Sequence, residues 1–148
     1  MMLRPMQLKI TRLSQDVPLP AYATAGAAAF DLAAAADVEV PPHAIALVPT
    51  GLVVEVPSGH FLAILARSST PLKRGLMVAN GVGVVDADYC GPADEVKVQV
   101  INVTAAAVRV AAGDRIAQGM VLAAPRLELV EQPLADRASR GGFGSTGH

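Results

Sequence analysis

Short apolar runs separated by turn signals are the feature that most restricts the fold of this chain, and they recur roughly every eight to twelve residues. The runs at 44–48 and 51–56 are rich in valine, and the run at 95–103 alternates strictly between apolar and polar residues. β-Branched residues and a period of two are typical of strands, and no long stretch has the 3.6-residue period of an amphipathic helix. The pattern predicts an all-β sandwich or barrel.

The same pattern places the remaining elements and divides the chain in two. Further strands are expected at 6–13, 60–66, 75–78, 82–85, 108–110, 116–123 and 126–130, with one helical turn at 70–74. The alanine-rich stretch 21–40 favours helix by propensity, but Gly26 interrupts it and Pro41 closes it, so we expect short strands and loops there. Residues 1–136 are predicted to form one β domain, and the glycine-rich residues 137–148 a mobile C-terminal arm.

Composition narrows the range of functions. The length of 148 residues suits a single domain with a sizeable core. A net charge of −1 gives no case for a nucleic-acid or membrane binder, and the sequence has no apparent signal peptide or membrane span. The single cysteine, Cys90, excludes an internal disulfide and agrees with a reducing compartment, so we expect a cytoplasmic protein. The scarcity of cysteine and histidine also argues against a dedicated zinc site.

The stretch 80–91, N-G-V-G-V-V-D-A-D-Y-C-G, carries the densest chemistry of the chain. Asn80-Gly81 suits a tight turn because both residues tolerate positive φ, and the apolar runs on either side predict a β-hairpin. In the extended second arm Asp86 and Asp88 project to the same side, with Tyr89 next to them. A polar hairpin end covered by a tyrosine would account for the same residues without any catalytic role.

Two further stretches offer groups for binding an anion. R-S-S at 67–69 follows an apolar run, and a guanidinium with two hydroxyls at a strand end is a good phosphate cradle. The alternative is that these polar residues only face solvent where the strand ends. In the turn at 113–118, Gln118 could reach a site, whereas Asp114 and Arg115 could simply pair with each other.

The C-terminal stretch 140–147 reads R-G-G-F-G-S-T-G. Glycines allow backbone N–H groups to converge on an anion, and Ser145 and Thr146 add hydroxyl donors, so we expect a lid rather than an inert tail. These stretches together provide aromatic rings for a flat group, donors for a polyphosphate and a carboxylate for a water molecule. That combination indicates nucleoside triphosphate hydrolysis.

The chain resembles the trimeric dUTP diphosphatases, or dUTPases, whose five short motifs occur here in order. They are A-A-F-D-L at 28–32, R-S-S at 67–69, N-G-V-G-V-V-D-A-D-Y at 80–89, G-D-R-I-A-Q at 113–118 and G-G-F-G-S-T-G at 141–147. The resemblance implies a jelly-roll-like β fold and a homotrimer with three shared active sites. It also implies dUTP as the substrate and Mg²⁺ carried by the triphosphate.

The resemblance also implies roles for individual residues. Asp86 matches the aspartate that activates the attacking water, and Tyr89 matches the tyrosine that packs under the deoxyribose and excludes a 2′-hydroxyl. Asp31 matches a carboxylate that meets the metal through water. The matches to substrate contacts are Asn80, Val84 and Val85 for uracil, Arg67, Ser68, Ser69 and Gln118 for phosphate, and Arg140, Phe143, Gly144, Ser145 and Thr146 for the closing arm.

Three positions depart from the family pattern. Ser69 stands where glycine is usual. After Tyr89 the chain continues C-G-P-A-D-E, a longer loop than the usual Arg-Gly-Glu, which leaves open whether Lys97 contacts the substrate. The arginine that usually lies five residues before the arm's phenylalanine is absent from that position, so Arg137 and Arg140 are alternatives for its role.

Two other functions fit parts of the pattern. The dCTP deaminases share the fold and an Arg-Ser-Ser motif, but their proton-shuttling glutamate would fall at Gln99, three residues before Asn102. A glutamine cannot transfer that proton. A trimer that binds a nucleotide without cleaving it is the other alternative, and Asp86 argues against it because an asparagine would bind equally well.

Overall fold

The computed structural model describes residues 5–144 and residue 147, and these residues form eleven strands and one short helix. The strands are β1 (Lys9–Arg12), β2 (Phe30–Ala33), β3 (Val38–Val40), β4 (Ile45–Pro49), β5 (Leu52–Glu55), β6 (His60–Leu65), β7 (Leu76–Val78), β8 (Gly83–Val85), β9 (Lys97–Asn102), β10 (Val108–Val110) and β11 (Arg115–Ala123). The helix is α1 (Thr70–Arg74), between β6 and β7. The alanine-rich stretch 21–40 contains only β2, β3 and loops, as its interruptions predicted.

The strands pair into two larger sheets and two ribbons. One sheet has the order β2-β11-β6-β8, the other has the order β4-β9-β7, and the ribbons are β1-β5 and β3-β10. Every pairing is antiparallel. The prediction of an all-β, sandwich-like fold is confirmed, and the described strands do not close into a barrel. Across the described part of the chain, no helix is long and apolar enough to cross a membrane.

The hydrophobic core is built from alternate residues of the strands. On β9, Val98 and Val100 are fully buried, whereas Lys97 faces solvent. Leu62 of β6 and Ile116 of β11 join the same cluster from the other sheet. Each such side chain stabilises the fold by about 1.5–3 kcal/mol relative to an exposed position. The core therefore fixes the register of the strands whose ends carry the polar motifs.

Helix α1 confirms the helical turn predicted at 70–74 and ends where glycine is required. Gly75 has φ +65°, and its N–H donates to Pro71 O at 2.9 Å. A Cβ at Gly75 would lie 2.1 Å from Thr104 Cγ2, so both the backbone conformation and the packing exclude a side chain. This sharp stop sends the chain into β7 directly after α1.

The hairpin predicted around Asn80-Gly81 is wrong. β7 pairs with β9 and β8 pairs with β6, so the two arms belong to different sheets. The turn itself is present: Gly81 has φ +72°, its N–H donates to Val78 O at 3.0 Å, and Val82 N–H donates to Asn80 O at 2.9 Å. Each arm is buried on alternate residues and pairs over three residues with an interior strand of its own sheet, so burial in two different sheets separates the arms.

The strand predicted at 126–130 is also absent. This stretch has no strand assignment, and Leu127, Leu129 and Val130 are 74%, 94% and 71% exposed. An extended stretch becomes a strand only when a neighbour accepts its backbone hydrogen bonds, and no strand of the described chain lies beside this one.

Candidate active site

The first cluster of predicted site residues lies where β2, β11 and β6 run side by side. Asp31 of β2 lies opposite Gln118 of β11, and Gln118 lies opposite Leu65 at the end of β6. The Gln118 side chain donates to Ala66 O at 3.0 Å and so fixes the backbone just before Arg67. Strand register therefore brings together three residues that lie far apart in the sequence.

Arg67 is held in this cluster by two contacts. Its Nε lies 2.7 Å from Asp31 Oδ1, and its Nη1 donates to Arg115 O at 3.1 Å. The Arg67 and Asp31 side chains are only 26% and 21% exposed, so solvent screens this pair less than a surface pair. Arg115 Nη1 approaches the other carboxylate oxygen of Asp31 at 3.3 Å.

A groove rich in cations lies next to this ion pair. It is lined by Arg67, Ser69, Thr70, Lys73, Arg74, Gly113, Asp114 and Arg115. Ser69 is the N-cap of α1 but makes no capping hydrogen bond with its side chain. Ser68 is exposed. Four cations with a single aspartate among the lining residues make this groove suited to a polyanion.

Lys73, Arg74 and Arg115 were missed as members of this groove. The sequence suggested that Asp114 pairs with Arg115, but Asp114 Oδ2 pairs with Arg74 Nη2 at 2.7 Å, and Arg115 turns to Asp31. The basic residues themselves were visible in the sequence, but the partner of each depended on the tertiary fold.

The Asp114 carboxylate stabilises the turn between β10 and β11. It accepts from Ala111 N–H at 2.9 Å and from Arg74 at 2.7 Å. These two contacts hold the pKa of Asp114 below its ordinary value, with the backbone donor as the larger cause. The ion pair links α1 to the turn on the other side of the groove.

The second cluster follows the edge strand β8. Asp86 and Asp88 are exposed and line a cleft with His60 and Arg126. Tyr89 N–H donates to Asp86 O at 3.2 Å, closing a turn that places the tyrosine beside the carboxylate. Tyr89 is 41% exposed, and its hydroxyl donates to Glu95 O at 3.1 Å.

The two clusters lie at opposite ends of the β6–β8 pair. Val85 lies opposite Leu62, while Arg67 comes five residues after Leu62 in the other direction from Asp86. At about 3.4 Å per residue, the backbones of Val85 and Arg67 are on the order of 15 Å apart. Within a single copy, Asp86 and the Arg67 groove thus lie at opposite ends of this strand pair.

The residues matched to uracil binding lie along the edge strand. Asn80 is exposed in the turn, Val84 is 60% exposed, and Val85 is buried at 6%. Among the described strands β8 has only β6 as a neighbour, so one side of its backbone keeps free donors and acceptors. Lys97 is exposed at the start of β9, opposite Pro49.

The C-terminal arm contributes no packing within the described residues. Arg137, Arg140 and Gly144 are exposed, and Phe143 is fully exposed with φ +52°. Ser145 and Thr146 lie outside the described residues.

The described residues include no cluster of three or more histidine, cysteine, aspartate or glutamate side chains that could hold a metal ion directly. The Asp31 carboxylate is oriented toward two arginines, and Asp114 is occupied by Arg74.

Comparisons with known proteins agree on one family. The model of the dUTPase family matches residues 15–147. A deoxyuridine 5′-triphosphate nucleotidohydrolase of Wolinella succinogenes is 44% identical over 147 residues, covering 98% of this chain and 97% of that protein. One of Caulobacter vibrioides is 45% identical over 138 residues, covering 89% and 87%.

Solved structures give the same fold. A dUTPase from Streptococcus mutans superposes with a TM-score of 0.76 at 34% identity, covering 83% of this chain and 99% of that one. The dUTPase of Staphylococcus bacteriophage 80alpha with dUPNHPP superposes with a TM-score of 0.83, covering 95% and 98%. At 22% identity, this second match supports a shared fold and nothing more.

Proposed function

The chain belongs to the dUTPase family, and on that premise we propose that it hydrolyses dUTP to dUMP and pyrophosphate. The observation that carries the proposal is the pair of clusters that the fold builds. One offers a cationic groove for a triphosphate, and the other offers an exposed carboxylate next to an exposed tyrosine. Such an enzyme would remove dUTP and supply dUMP for thymidylate synthesis. We place it in the cytoplasm, where its nucleotide substrate and the reduced Cys90 belong.

In the proposed mechanism Asp86 is the general base. It takes a proton from a water molecule that attacks the α-phosphorus in line with the departing pyrophosphate. No ion pair of the described residues involves Asp86, so its carboxylate is available to the water. A positioned base typically contributes about 10²–10⁴-fold to the rate.

Arg67, Ser68, Ser69 and Gln118 would stabilise the charge that grows on the leaving pyrophosphate. The Arg67 guanidinium is oriented in advance by Asp31 and by Arg115 O, so little reorganisation is needed during the reaction. Arg140 or Arg137, with Phe143, Gly144, Ser145 and Thr146, would close over the base and the γ-phosphate. A Mg²⁺ ion on the triphosphate would neutralise phosphate charge and meet the protein through water at Asp31.

Base and sugar selection would fall to the stretch after β7. Uracil presents an acceptor, a donor and an acceptor along one edge, which the Asn80 amide and the free backbone groups near Val84 and Val85 could complement. Cytosine presents a different order, and unpaired buried polar groups are strongly rejected. Tyr89 would pack against the deoxyribose and leave no room for a 2′-hydroxyl.

We propose that the working form is a homotrimer with active sites shared between copies. The separation between Asp86 and Arg67 supports this, because a complete site then needs Asp86 from one copy and the groove from another. The exposed leucines of 126–134 support it too, since Leu127, Leu129 and Leu134 have no apolar cover within the described chain.

The test is a panel of nucleotides with Mg²⁺ and the purified protein, with products separated by ion-exchange chromatography. We expect pyrophosphate and dUMP from dUTP, and little pyrophosphate and no ammonia from dCTP. Formation of dUTP from dCTP would identify a deaminase, although the half-buried Gln99 stands where its glutamate would be needed. Binding of dUTP without cleavage would identify a non-catalytic trimer.

A further inference from the structure

The loop between Tyr89 and β9 is longer than the family pattern, and its last residue, Glu95, accepts a hydrogen bond from the tyrosine hydroxyl. Two contacts close the loop on itself. Gly91 N–H donates to Asp94 Oδ2 at 2.8 Å, and Asp94 N–H donates to Gly91 O at 3.0 Å. The loop is thus a defined turn that delivers Glu95 to one position.

Glu95 is in turn anchored to the core. Its Oε1 accepts from Gly51 N–H at 2.9 Å, across a half-buried contact. The next residue, Val96, is buried, and its N–H donates to Leu52 O at 2.8 Å while its own carbonyl accepts from Thr50. The backbone of Glu95 therefore has a fixed place relative to the β4–β5 turn.

The Tyr89 hydroxyl forms a hydrogen bond with this anchored backbone. It donates to Glu95 O at 3.1 Å, while Tyr89 N–H is fixed to Asp86 O. The residue is therefore held at its backbone and at its hydroxyl, and Tyr89 remains 41% exposed, which leaves surface for a sugar to contact. A ring held only by its backbone would be free to change its rotamer, because an exposed aromatic ring has little packing to restrain it.

We propose that Glu95 is a positioning residue for sugar selection, acting through the hydroxyl of Tyr89. This inference depends on the proposed function, because it assigns the cause of the discrimination that Tyr89 makes between dUTP and UTP. The Glu95 carboxylate fixes the loop end, the loop end fixes the tyrosine hydroxyl, and the hydroxyl fixes the ring against the position of a 2′-hydroxyl.

The experiment measures the ratio of kcat/KM for dUTP to kcat/KM for UTP in four variants. Glu95→Ala removes the anchor, and Glu95→Gln keeps an oxygen that can accept from Gly51 N–H. Tyr89→Phe removes only the hydroxyl. Tyr89→Ala removes the whole ring and gives the dUTP/UTP ratio that remains without it. Melting temperatures of all variants report whether each one folds.

We expect Glu95→Ala and Tyr89→Phe each to lower the dUTP/UTP ratio about five- to tenfold, the effect of one lost hydrogen bond. Glu95→Gln should keep most of the ratio, because its amide oxygen can still accept from Gly51 N–H. The double variant Glu95→Ala/Tyr89→Phe should fall no further than either single one, because both changes break the same tether.

An unchanged ratio in Tyr89→Phe would overturn the proposal, and this variant remains decisive even if Glu95→Ala does not fold. Multiplicative losses in the double variant would also overturn it, since they would show that the two residues act independently. Failure of the proposed function has a different signature: the unaltered protein would then release no pyrophosphate from dUTP.

Discussion

Asp86 is an exposed carboxylate at the first position after β8, beside Tyr89 and far from the cationic groove. Its replacement by asparagine keeps the size of the side chain and one acceptor oxygen but removes the charge and the proposed base. We expect Asp86→Asn to bind dUTP with Mg²⁺ and to hydrolyse it at least ~100-fold more slowly. The measurement pairs equilibrium binding of dUTP with single-turnover release of pyrophosphate.

Asp88→Asn is the matched control for this variant, since Asp88 is a second aspartate on the same turn and has no assigned role in the reaction. It should bind and turn over dUTP within about threefold of the unaltered protein, the usual tolerance of surface substitutions. Near-normal turnover by Asp86→Asn, or equal losses in both variants, would exclude Asp86 as the base.

The sequence singled out candidate site residues more completely than it indicated their partners. Arg67, Asp31 and Gln118 were identified singly, and the structure brings them together. Neither the pairing of Arg115 with Asp31 nor that of Arg74 with Asp114 could be derived from spacing. The ion pairs depend on β2, β11 and β6 being neighbours, and strand order is a property of the whole sheet.

At the scale of elements, the Arg74–Asp114 pair joins α1 to the turn before β11 and gives a pH dependence that can be tested. The pKa of Asp114 is lowered in the fold, so its contribution to stability is present above the unfolded-state pKa of about 3.9 and is lost as pH falls through the lower folded-state pKa. The side chains are 28% and 34% exposed, so solvent screening limits the contribution to about 1 kcal/mol or less.

We therefore expect Asp114→Asn to lower the melting temperature by a few degrees at most at pH 7, and we expect this gap to narrow as pH falls below about 4. Thermal unfolding followed by circular dichroism at several pH values checks this. Glu55→Gln is the control, because the Lys9–Glu55 pair is highly exposed and should change the melting temperature little. A gap that widens in acid would contradict a lowered pKa for Asp114 in the folded state.

The C-terminal arm is the second element whose proposed role can be tested by itself. Its described residues are exposed and pack on no other described part of the chain. Ending the chain at Asp136 should therefore leave the melting temperature nearly unchanged while turnover falls at least ~100-fold, because the donors proposed to close over the γ-phosphate are lost.

The same assay on Arg137→Ala and Arg140→Ala shows which of the two arginines supports turnover. A large loss of thermal stability on truncation would instead make the arm a structural element.

In two elements the sequence predicted the local conformation but not the strand partner. Asn80-Gly81 and its valines predicted a turn between extended arms, and both are present, but the arms join different sheets. Residues 126–130 carry a strand pattern and remain unpaired among the described strands. Turn chemistry and alternation are local properties, whereas the partner of a strand is chosen by burial across the whole molecule.

At the scale of the whole molecule, the distance between the two clusters decides how a site can be assembled. Val85 and Arg67 lie on the order of 15 Å apart along the β6–β8 pair, so Asp86 and the Arg67 groove lie at different ends of one copy. If each site takes Asp86 from one copy and Arg67 from the next, two inactive variants can restore each other. If each site were built within one copy, they could not.

The experiment mixes Asp86→Asn with Arg67→Ala in equal amounts, by joint refolding or by coexpression with different tags. In a cyclic trimer, every mixed assembly has one junction at which an intact Asp86 meets an intact Arg67 groove. Three quarters of randomly formed trimers are mixed and one of their three sites is intact, so we expect about one quarter of the unaltered activity. Each variant alone should remain at its own low level.

A second mixture tests whether assembly itself is required. The same two variants, mixed only after each has assembled by itself, should stay inactive for as long as subunits do not exchange. Size-exclusion chromatography with light scattering gives the mass of the active species, which should be three times the 15.2 kDa of one chain. Joint refolding that yields only the sum of the two residual activities would place Asp86 and Arg67 in a site within one copy, against the register that separates them.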